Sequence, residues 1–446
     1  MTDPRPTVYV ETYGCQMNVS DSELMLGKLA AHGYDAVDHP DGADVILVNT
    51  CAIREHAETR VIGRLGELRR NMKPGAIVGV TGCMAQRLGP VLLEKAKHVS
   101  LVIGPDGYRA LPALIDGARR GQRASATTFD LEEHYEDFQP RRFDNVKAWI
   151  PVQRGCDYRC TYCIVPTTRG PERSRKLADV VRETETVVAE GMSEVVLLGQ
   201  TVNSYHDGES DFADLLRAVG AVPGVRRLRF TSPHPNDFST RVIAAMATVD
   251  AVCEHVHLPM QSGSTKILKR MLRRYTREGY VECVDRLRSA IPGLSVTTDI
   301  IVGFPGETDE DFEETLSVVR AVGFSEGFTF KFSPRDGTPA TRMPAELTVP
   351  DEVASERLAT LVATMRAHSR VENMGLLGRR CEVLVEKEAR RGGDLVQTRT
   401  RDFKTVLVPG DASMIGQYLN VELTGTTGST FTGQIVSERR PLPMAG

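Results

Sequence analysis

Cysteine follows directly on a strand pattern four times in this chain, and that placement constrains the fold more than any other feature. Tyr13-Gly14-Cys15 follows Thr7 to Thr12 (TVYVET), Asn49-Thr50-Cys51 follows Val45 to Asn49 (VILVN), and Thr81-Gly82-Cys83 follows Ala76 to Thr81 (AIVGVT). Each run is short and apolar, as suits a strand buried on both faces. Helical stretches separate them, and one is expected to open at Ser20 with Glu23 as the far side of a capping box. The alternation is an α/β pattern with a parallel sheet. Open parallel sheets gather ligands at the carboxyl ends of their strands. Cys15, Cys51 and Cys83 are therefore expected to meet in space, with Gly14 and Gly82 allowing tight turns just before the sulfur. The alternative is three unrelated buried cysteines at strand ends.

The fourth instance belongs to a second alternation. Ala124 to Asn145 breaks the pattern with Asp130, Glu132, Glu133, Glu136, Asp137 and Pro140, and reads as a solvated linker. Candidate strands follow at Ala148 to Gln153, Glu194 to Leu198, Arg226 to Thr231, Ala251 to Leu258, Ser295 to Val302 and Gly327 to Phe332, with helices such as Leu177 to Glu190 and Asp309 to Ala321 between them. Six repeats are too few for a closed eight-fold barrel, so an open partial barrel is expected. A long helix from Pro350 to about Arg370, with Thr348 as a possible cap, leads into short strands and turns. Those strands (CEVLVEK, LVQTRT, TVLVP, YLNVELTG, TFTGQIVS) predict a small antiparallel barrel. The expected division is an α/β domain over 1–125, a linker over 126–145, a partial (β/α)6 barrel over 146–371 and a small β-barrel over 372–440.

Cys156-x-x-x-Cys160-x-Tyr162-Cys163 follows the first strand of the second alternation. Three thiolates on one loop can hold three irons of a four-iron cubane and leave the fourth iron open. Structural zinc takes four protein ligands, and this loop offers no fourth cysteine or histidine.

The chain has 446 residues, room for roughly two to four domains. Its formal charge of −4 excludes a generally basic nucleic-acid coat, so RNA contact must come from local patches. The start, Met-Thr-Asp-Pro-Arg-Pro, is unlike a secretory signal, and no apolar run is long enough for a bilayer, so a cytoplasmic protein is expected. Nine cysteines in such a chain suggest metal or chemistry rather than a disulfide framework. Cys253, Cys283 and Cys381 stand alone and are expected to be buried thiols.

The loop holding Cys156, Cys160 and Cys163 resembles the signature of the radical S-adenosylmethionine superfamily, including the aromatic Tyr162. That resemblance implies a [4Fe-4S] cluster whose open iron takes the methionyl amine and carboxylate, and one-electron cleavage to a 5′-deoxyadenosyl radical. Leu198-Gly199-Gln200 ends the second strand, where relatives place a polar group on the methionine amine. Gly303 and Gly306 end the fifth, where adenine packs in relatives, although both glycines are equally explained by close turns. TYGCQMN, NTCAIREHAE and TGCMAQR look like the amino-terminal domain of the methylthiotransferases. RGCDYRCTYCIVPTTRGPERSR, GQTVNSY, HLPMQSGS and FPGET continue the match, and the last segment resembles the TRAM domain, an RNA-binding barrel.

The family resemblance implies that Cys15, Cys51 and Cys83 hold a second [4Fe-4S] cluster that carries the sulfur to be transferred. It implies methylthiolation at C2 of an isopentenylated adenosine beside the anticodon in tRNA. The alternatives are threonylcarbamoyl-adenosine or a ribosomal-protein aspartate, and, from another class, a non-enzymatic iron–sulfur or RNA-binding module. It further implies S-adenosylmethionine as cofactor, an electron donor of the flavodoxin or ferredoxin type, no membrane and a monomer. No histidine or carboxylate pair needs a catalytic role, since an aromatic C–H is too weakly acidic for a general base near neutral pH.

For RNA, two local patches stand out. Lys266, Arg270, Arg273 and Arg277 recur at helical spacing, able to follow a phosphate backbone. Arg399, Arg401, Phe403 and Lys404 combine charge with an aromatic, as single-strand binders do.

Overall fold

The amino-terminal unit forms β1 (Thr7–Tyr13), β2 (Asp35–Ala36), β3 (Val45–Thr50), β4 (Ile77–Gly82), β5 (Leu101–Ile103) and β6 (Ala124–Ala126), with valine and isoleucine runs in β3 and β4. In this computed structural model, which describes residues 4–52, 55–390 and 393–436, they pair in parallel in the order β2-β1-β3-β4-β5-β6. Part of the NTCAIREHAE motif, at Ile53 and Arg54, lies outside the described residues, as does the chain beyond 436. The helices α1 (Gln16–Ala31), α2 (Glu55–Asn71), α3 (Cys83–Leu88), α4 (Pro90–Lys95) and α5 (Leu111–Arg119) cover the sheet. Separate apolar layers bury its two faces, one built on Leu24, Leu29 and Ile115, the other on Val61, Leu65 and Leu92.

Two local expectations change here. Helix α1 opens at Gln16 with Cys15 as its N-cap, so Ser20 and Glu23 lie inside the helix and are buried. The chain turns at Gly14 (φ +141°) straight from β1 into the helix, and Asn18 accepts from the Cys15 amide at 3.3 Å. The segment expected to be a solvated linker is irregular but packed. Tyr135 and Phe138 sit in the apolar layer with Tyr108, and Arg109 binds both Glu133 and Asp137. Glu133 is buried against that arginine and Asp137 also pairs with it, while Asp130, Glu132 and Glu136 stay exposed.

The central unit contains β7 (Lys147–Pro151), β8 (Gln153–Arg154), β9 (Arg173–Ser174), β10 (Glu194–Leu198), β11 (Arg227–Phe230), β12 (His255–His257), β13 (Ser295–Val302) and β14 (Glu326–Lys331). Two parallel sheets, β11-β10-β7 and β12-β13-β14, are joined by a single bridge between Leu228 and Val252. The result is an open, six-stranded partial barrel running β7-β10-β11-β12-β13-β14. Helices α6 (Val165–Arg169), α7 (Leu177–Ala189), α8 (Phe212–Gly220), α9 (Thr240–Thr248), α10 (Thr265–Arg270), α11 (Arg277–Ala290) and α12 (Asp309–Val322) follow the strands. One large core joins strand residues such as Ala148, Val195, Leu228, Val256 and Ile300 to the helices outside them. The alternate residues of each strand face the barrel's lumen.

Helix α13 (Asp351–Gly375) is entered from Pro350 without a side-chain cap, so Thr348 does not serve as one. It leads to β15 (Arg380–Glu388), β16 (Leu395–Thr400), β17 (Thr405–Pro409), β18 (Tyr418–Thr426) and β19 (Thr430–Ile435), a closed barrel in the order β15-β16-β17-β19-β18. It is not wholly antiparallel, because β17 and β19 pair in parallel from Thr405 and Thr430 onward. A ring of five strands cannot alternate direction throughout, so one neighbouring pair must run parallel.

This small barrel sits on the end of the lumen where the central strands begin. Lys147 binds Glu386 at 3.0 Å, Arg227 donates to the Arg399 carbonyl at 2.7 Å, and Arg229 donates to the Arg401 and Thr400 carbonyls at 2.9 Å each. Arg401 pairs with Glu254, and Lys404 is buried against Asn373. Phe403, held at φ +69°, stacks on His255 with centroids 4.4 Å apart. The cluster expected to meet RNA is therefore engaged with the central unit and with Glu386, because those arginines find carbonyls and carboxylates there. The other basic stretch is not one helix face either. Helix α10 stops at Arg270, Leu272 turns at φ +56°, and Thr276 caps α11. Lys266 pairs with Asp311, and Arg273 turns inward. Cys253 and Cys283 are buried, whereas Cys381 is half-buried. Among the described residues no helix is long and apolar enough to cross a membrane.

Candidate active site

Register brings the amino-terminal cysteines together. Tyr13 of β1 pairs with Thr50 of β3, and Thr50 with Gly82 of β4, so Cys15, Cys51 and Cys83 leave adjacent strands at one level. The approach is close. A Cβ at Gly14 would lie 2.7 Å from the Cys51 Cβ, and one at Gly82 would lie 2.4 Å from Asn49 Oδ1. Beneath the sulfurs, Asn18 Nδ2 donates to Asn49 Oδ1 at 3.2 Å and to the Thr50 carbonyl at 3.3 Å. Asn49 Nδ2 donates to the Asn18 carbonyl at 2.7 Å and to Ser22 at 2.8 Å. This buried amide pair fixes all three loops, and sequence reading did not single it out.

The second triad hangs from Gly155 (φ +77°), where a Cβ would strike the Pro171 carbonyl oxygen at 1.9 Å. Cys156 Sγ lies 3.2 Å from the Thr201 hydroxyl, and the Cys163 amide donates to the Cys160 carbonyl at 3.0 Å. Thr161 ties the loop to the end of α10, donating from its amide to the Met271 carbonyl at 3.0 Å. Arg273 Nη1 reaches Cys160 Sγ at 3.4 Å. Tyr162 lies edge-on to Phe304, and Ile301 and Phe332 pack in the same group.

Burial sets the thiol chemistry. The Cys51 hydrogen bond lowers the Cys15 thiol, with Arg169 adding to the effect. Burial raises Cys83, Cys156 and Cys163, the last to about 12 with Cys160 adding to it. Binding of iron must therefore displace protons from these thiols. Cations stand ready to favour the thiolate: Arg169 Nε donates to Cys83 Sγ at 3.1 Å, as Arg273 does to Cys160. Arg169 Nη2 also lies 2.6 Å from Asp21 Oδ2, an electrostatic contact rather than an aligned hydrogen bond.

The residues fit iron–sulfur clusters. Each triad offers three thiols, the donor set for a cubane with one open iron. Gln200 fits a bound ammonium, since its Oε1 is buried without a partner at the end of β10. Gly199 lets the chain pass Gln153 Oε1 and Val202, which a Cβ would meet at 2.7 and 2.9 Å. Gly303 (φ +72°) lies where a Cβ would come 2.6 Å from that of Ala354, so the approach of α13 accounts for the glycine.

The two triads share one neighbourhood. Cys83 packs against Ile164, the residue after Cys163, and Cys15 and Met17 pack against Trp149, Val196 and Leu198 on the lumen side of β7 and β10. A cavity of about 720 Å³ lies at the opposite end, open between α8, α9 and the small barrel, and touches neither triad.

Residues 7–104 match the profile of an uncharacterized protein family, UPF0004, and residues 150–319 that of the radical SAM superfamily. A protein of Thermoanaerobacter sp. (strain X514), named tRNA-2-methylthio-N(6)-dimethylallyladenosine synthase, is 44% identical over 96% of this chain and 92% of its own. One of the same name from Moorella thermoacetica is 42% identical over 98% of this chain and all of its own. Among solved structures, the radical S-adenosylmethionine methyltransferase TsrM from Kitasatospora setae, with cobalamin and a [4Fe-4S] cluster bound, superimposes with a TM-score of 0.57. That match covers 77% of this chain and 78% of TsrM at 18% identity, a likeness of fold alone.

Proposed function

Since the chain belongs to the tRNA methylthiotransferase family of radical S-adenosylmethionine enzymes, we propose that it places a methylthio group on C2 of N6-isopentenyl (dimethylallyl) adenosine beside the anticodon in tRNA. The observation that carries this reading is the meeting of two three-cysteine sites from different domains at one lumen, joined by Arg169 and Ile164. Bound there, two [4Fe-4S] clusters and S-adenosylmethionine supply a carbon radical at one triad and the sulfur at the other.

The protein's own part is to bind and orient. Cys156, Cys160 and Cys163 hold the radical-forming cluster, and Cys15, Cys51 and Cys83 hold the sulfur-bearing one. Gln200 accepts from the methionyl ammonium, while Tyr162, Gly199 and Gly303 border the cofactor. Arg169 and Arg273 offset thiolate charge in a buried setting. The small barrel packs Phe403 on His255 at the far end of the lumen and buries Lys404 against Asn373. The chain works as a monomer in the cytoplasm, with an electron donor of the flavodoxin or ferredoxin type.

Nucleoside mass spectrometry of tRNA from a strain lacking the gene tests the substrate. Loss of the 2-methylthio nucleoside with accumulation of isopentenyladenosine is expected. An unchanged nucleoside profile would contradict it.

A further inference from the structure

Strand β14 turns an unusual face toward the lumen. Its register sets Phe328 opposite Asp299 and Phe330 opposite Ile301 of β13, whose intervening residues Ile300 and Val302 belong to the outer core. Alternation therefore places Phe328, Phe330 and Phe332 in a column on the lumen side. The upper end of the column joins the cluster loop, because Phe332 packs on Phe304 at 5.0 Å and Phe304 meets Tyr162. The lower end meets a polar pair: His257 Nε2 lies 3.3 Å from Asp299 Oδ2, and Phe328 stands edge-on to the His257 ring. Phe328 is 62% exposed and Phe330 38%, although most other large apolar side chains of the central unit are buried. An apolar surface bounded by a hydrogen-bonding pair and continuous with the radical-forming loop is the kind of wall a half-apolar ligand needs.

We infer that Phe328 and Phe330 form the wall that takes the isopentenyl chain of the target adenosine, with His257 and Asp299 bordering its base. This rests on the functional reading above and identifies the specificity-determining residues within it. The occupant is argued from three features: the wall starts beside Tyr162, its rings are apolar and flat enough to cover a five-carbon chain, and the adjoining pair can hydrogen-bond a base edge. The opposite wall of the lumen is already filled by Cys15 and Met17. A base lying between the two walls would have the sulfur-bearing triad on one side and the radical-forming loop above it.

The test measures binding of the full-length protein to a synthetic anticodon stem-loop carrying either isopentenyladenosine or adenosine next to the anticodon. Burying such a chain favours the modified RNA by roughly 10- to 100-fold. In the double variant Phe328→Ala/Phe330→Ala that preference should fall to within about threefold of unity, with affinity for the bare stem-loop unchanged. The variant Phe328→Leu/Phe330→Leu keeps the apolar surface and should keep most of the preference. Retention of the full preference by the alanine variant would overturn the assignment, as would equal weakening toward both RNAs. A parental protein without any preference would instead count against isopentenyladenosine as the substrate.

Discussion

Arg169 of the central domain donates to Cys83 of the amino-terminal domain, Nε to Sγ, at 3.1 Å. The same guanidinium faces Asp21, which is fully buried and also lies 3.6 Å from Arg154. One side chain thus ties a sulfur of the first triad to the helix that directly follows the second.

Removing that cation should be costly. Arg169→Leu leaves Asp21 with a poorer partner, and breaking such a buried pair costs about 3–5 kcal/mol. The expected result is a lower melting temperature and selective loss of the amino-terminal cluster, with the central cluster's iron and spectrum retained. Adding Asp21→Asn should recover part of the stability, a coupling a double-mutant cycle reads directly. Equal damage from Asp21→Asn with and without Arg169 would show that the two do not act as a pair.

Two independent triads predict about eight irons per chain after anaerobic reconstitution. Replacing Cys156, Cys160 and Cys163 with alanine should remove half of the iron and leave the other cluster's spectrum in place. A single cluster in the parent, or zinc at the amino-terminal triad, would contradict the two-cluster assignment.

Acid should loosen the small barrel. Glu386 is buried, which raises its carboxyl pKa, but Arg399 and Lys147 outweigh burial and hold it at about 2 rather than the ordinary 4.5. Between about 4.5 and about 2 the unfolded chain binds a proton that the folded chain does not. The carboxylate's contribution is therefore full above that window and is lost as pH falls through it. Glu386→Gln should lower the urea midpoint at pH 7, and the gap from the parent should narrow as pH falls below about 4.5 and close only near pH 2. A gap independent of pH would deny the ion pairs their role.

Much of this was legible in the sequence because cysteine position is tied to strand ends. The strand patterns at Val45, Glu194 and Ser295 carry the apolar runs of buried strands, and each strand forms there. What could not be read was where charge would be spent. Arg399, Arg401 and Lys404 look like an RNA patch along the chain, yet Glu386, Glu254 and Asn373, distant in sequence, take them up. Arg273 likewise leaves its basic neighbours because a turn at Leu272 aims it at Cys160. Arg169 lay in plain view within TTRG, but only folding reveals that it reaches across to Cys83. Phe328 and Phe330 read as ordinary strand residues, and their exposure follows only from a barrel left open at β14.

If Arg399, Arg401 and Phe403 serve docking, Arg401→Ala should free the barrel more than it weakens RNA binding. Arg401 makes a bidentate pair with Glu254 and donates to the Val252 carbonyl at 2.8 Å. Hydrogen exchange should rise along β16 and β17, while the salt dependence of tRNA affinity changes by less than about one phosphate contact. A drop of a full contact in the salt slope with unaltered exchange would return Arg401 to the RNA interface.

In the proposed reaction one lumen receives a radical from one triad and sulfur from the other. This is tested most directly by the triple variant Cys15→Ala/Cys51→Ala/Cys83→Ala, given S-adenosylmethionine, a low-potential reductant and isopentenylated tRNA without oxygen. Both 5′-deoxyadenosine and the methylthio nucleoside are measured. The expected result is that 5′-deoxyadenosine still forms while the methylthio nucleoside does not. Methylthio product at the parental rate would contradict it.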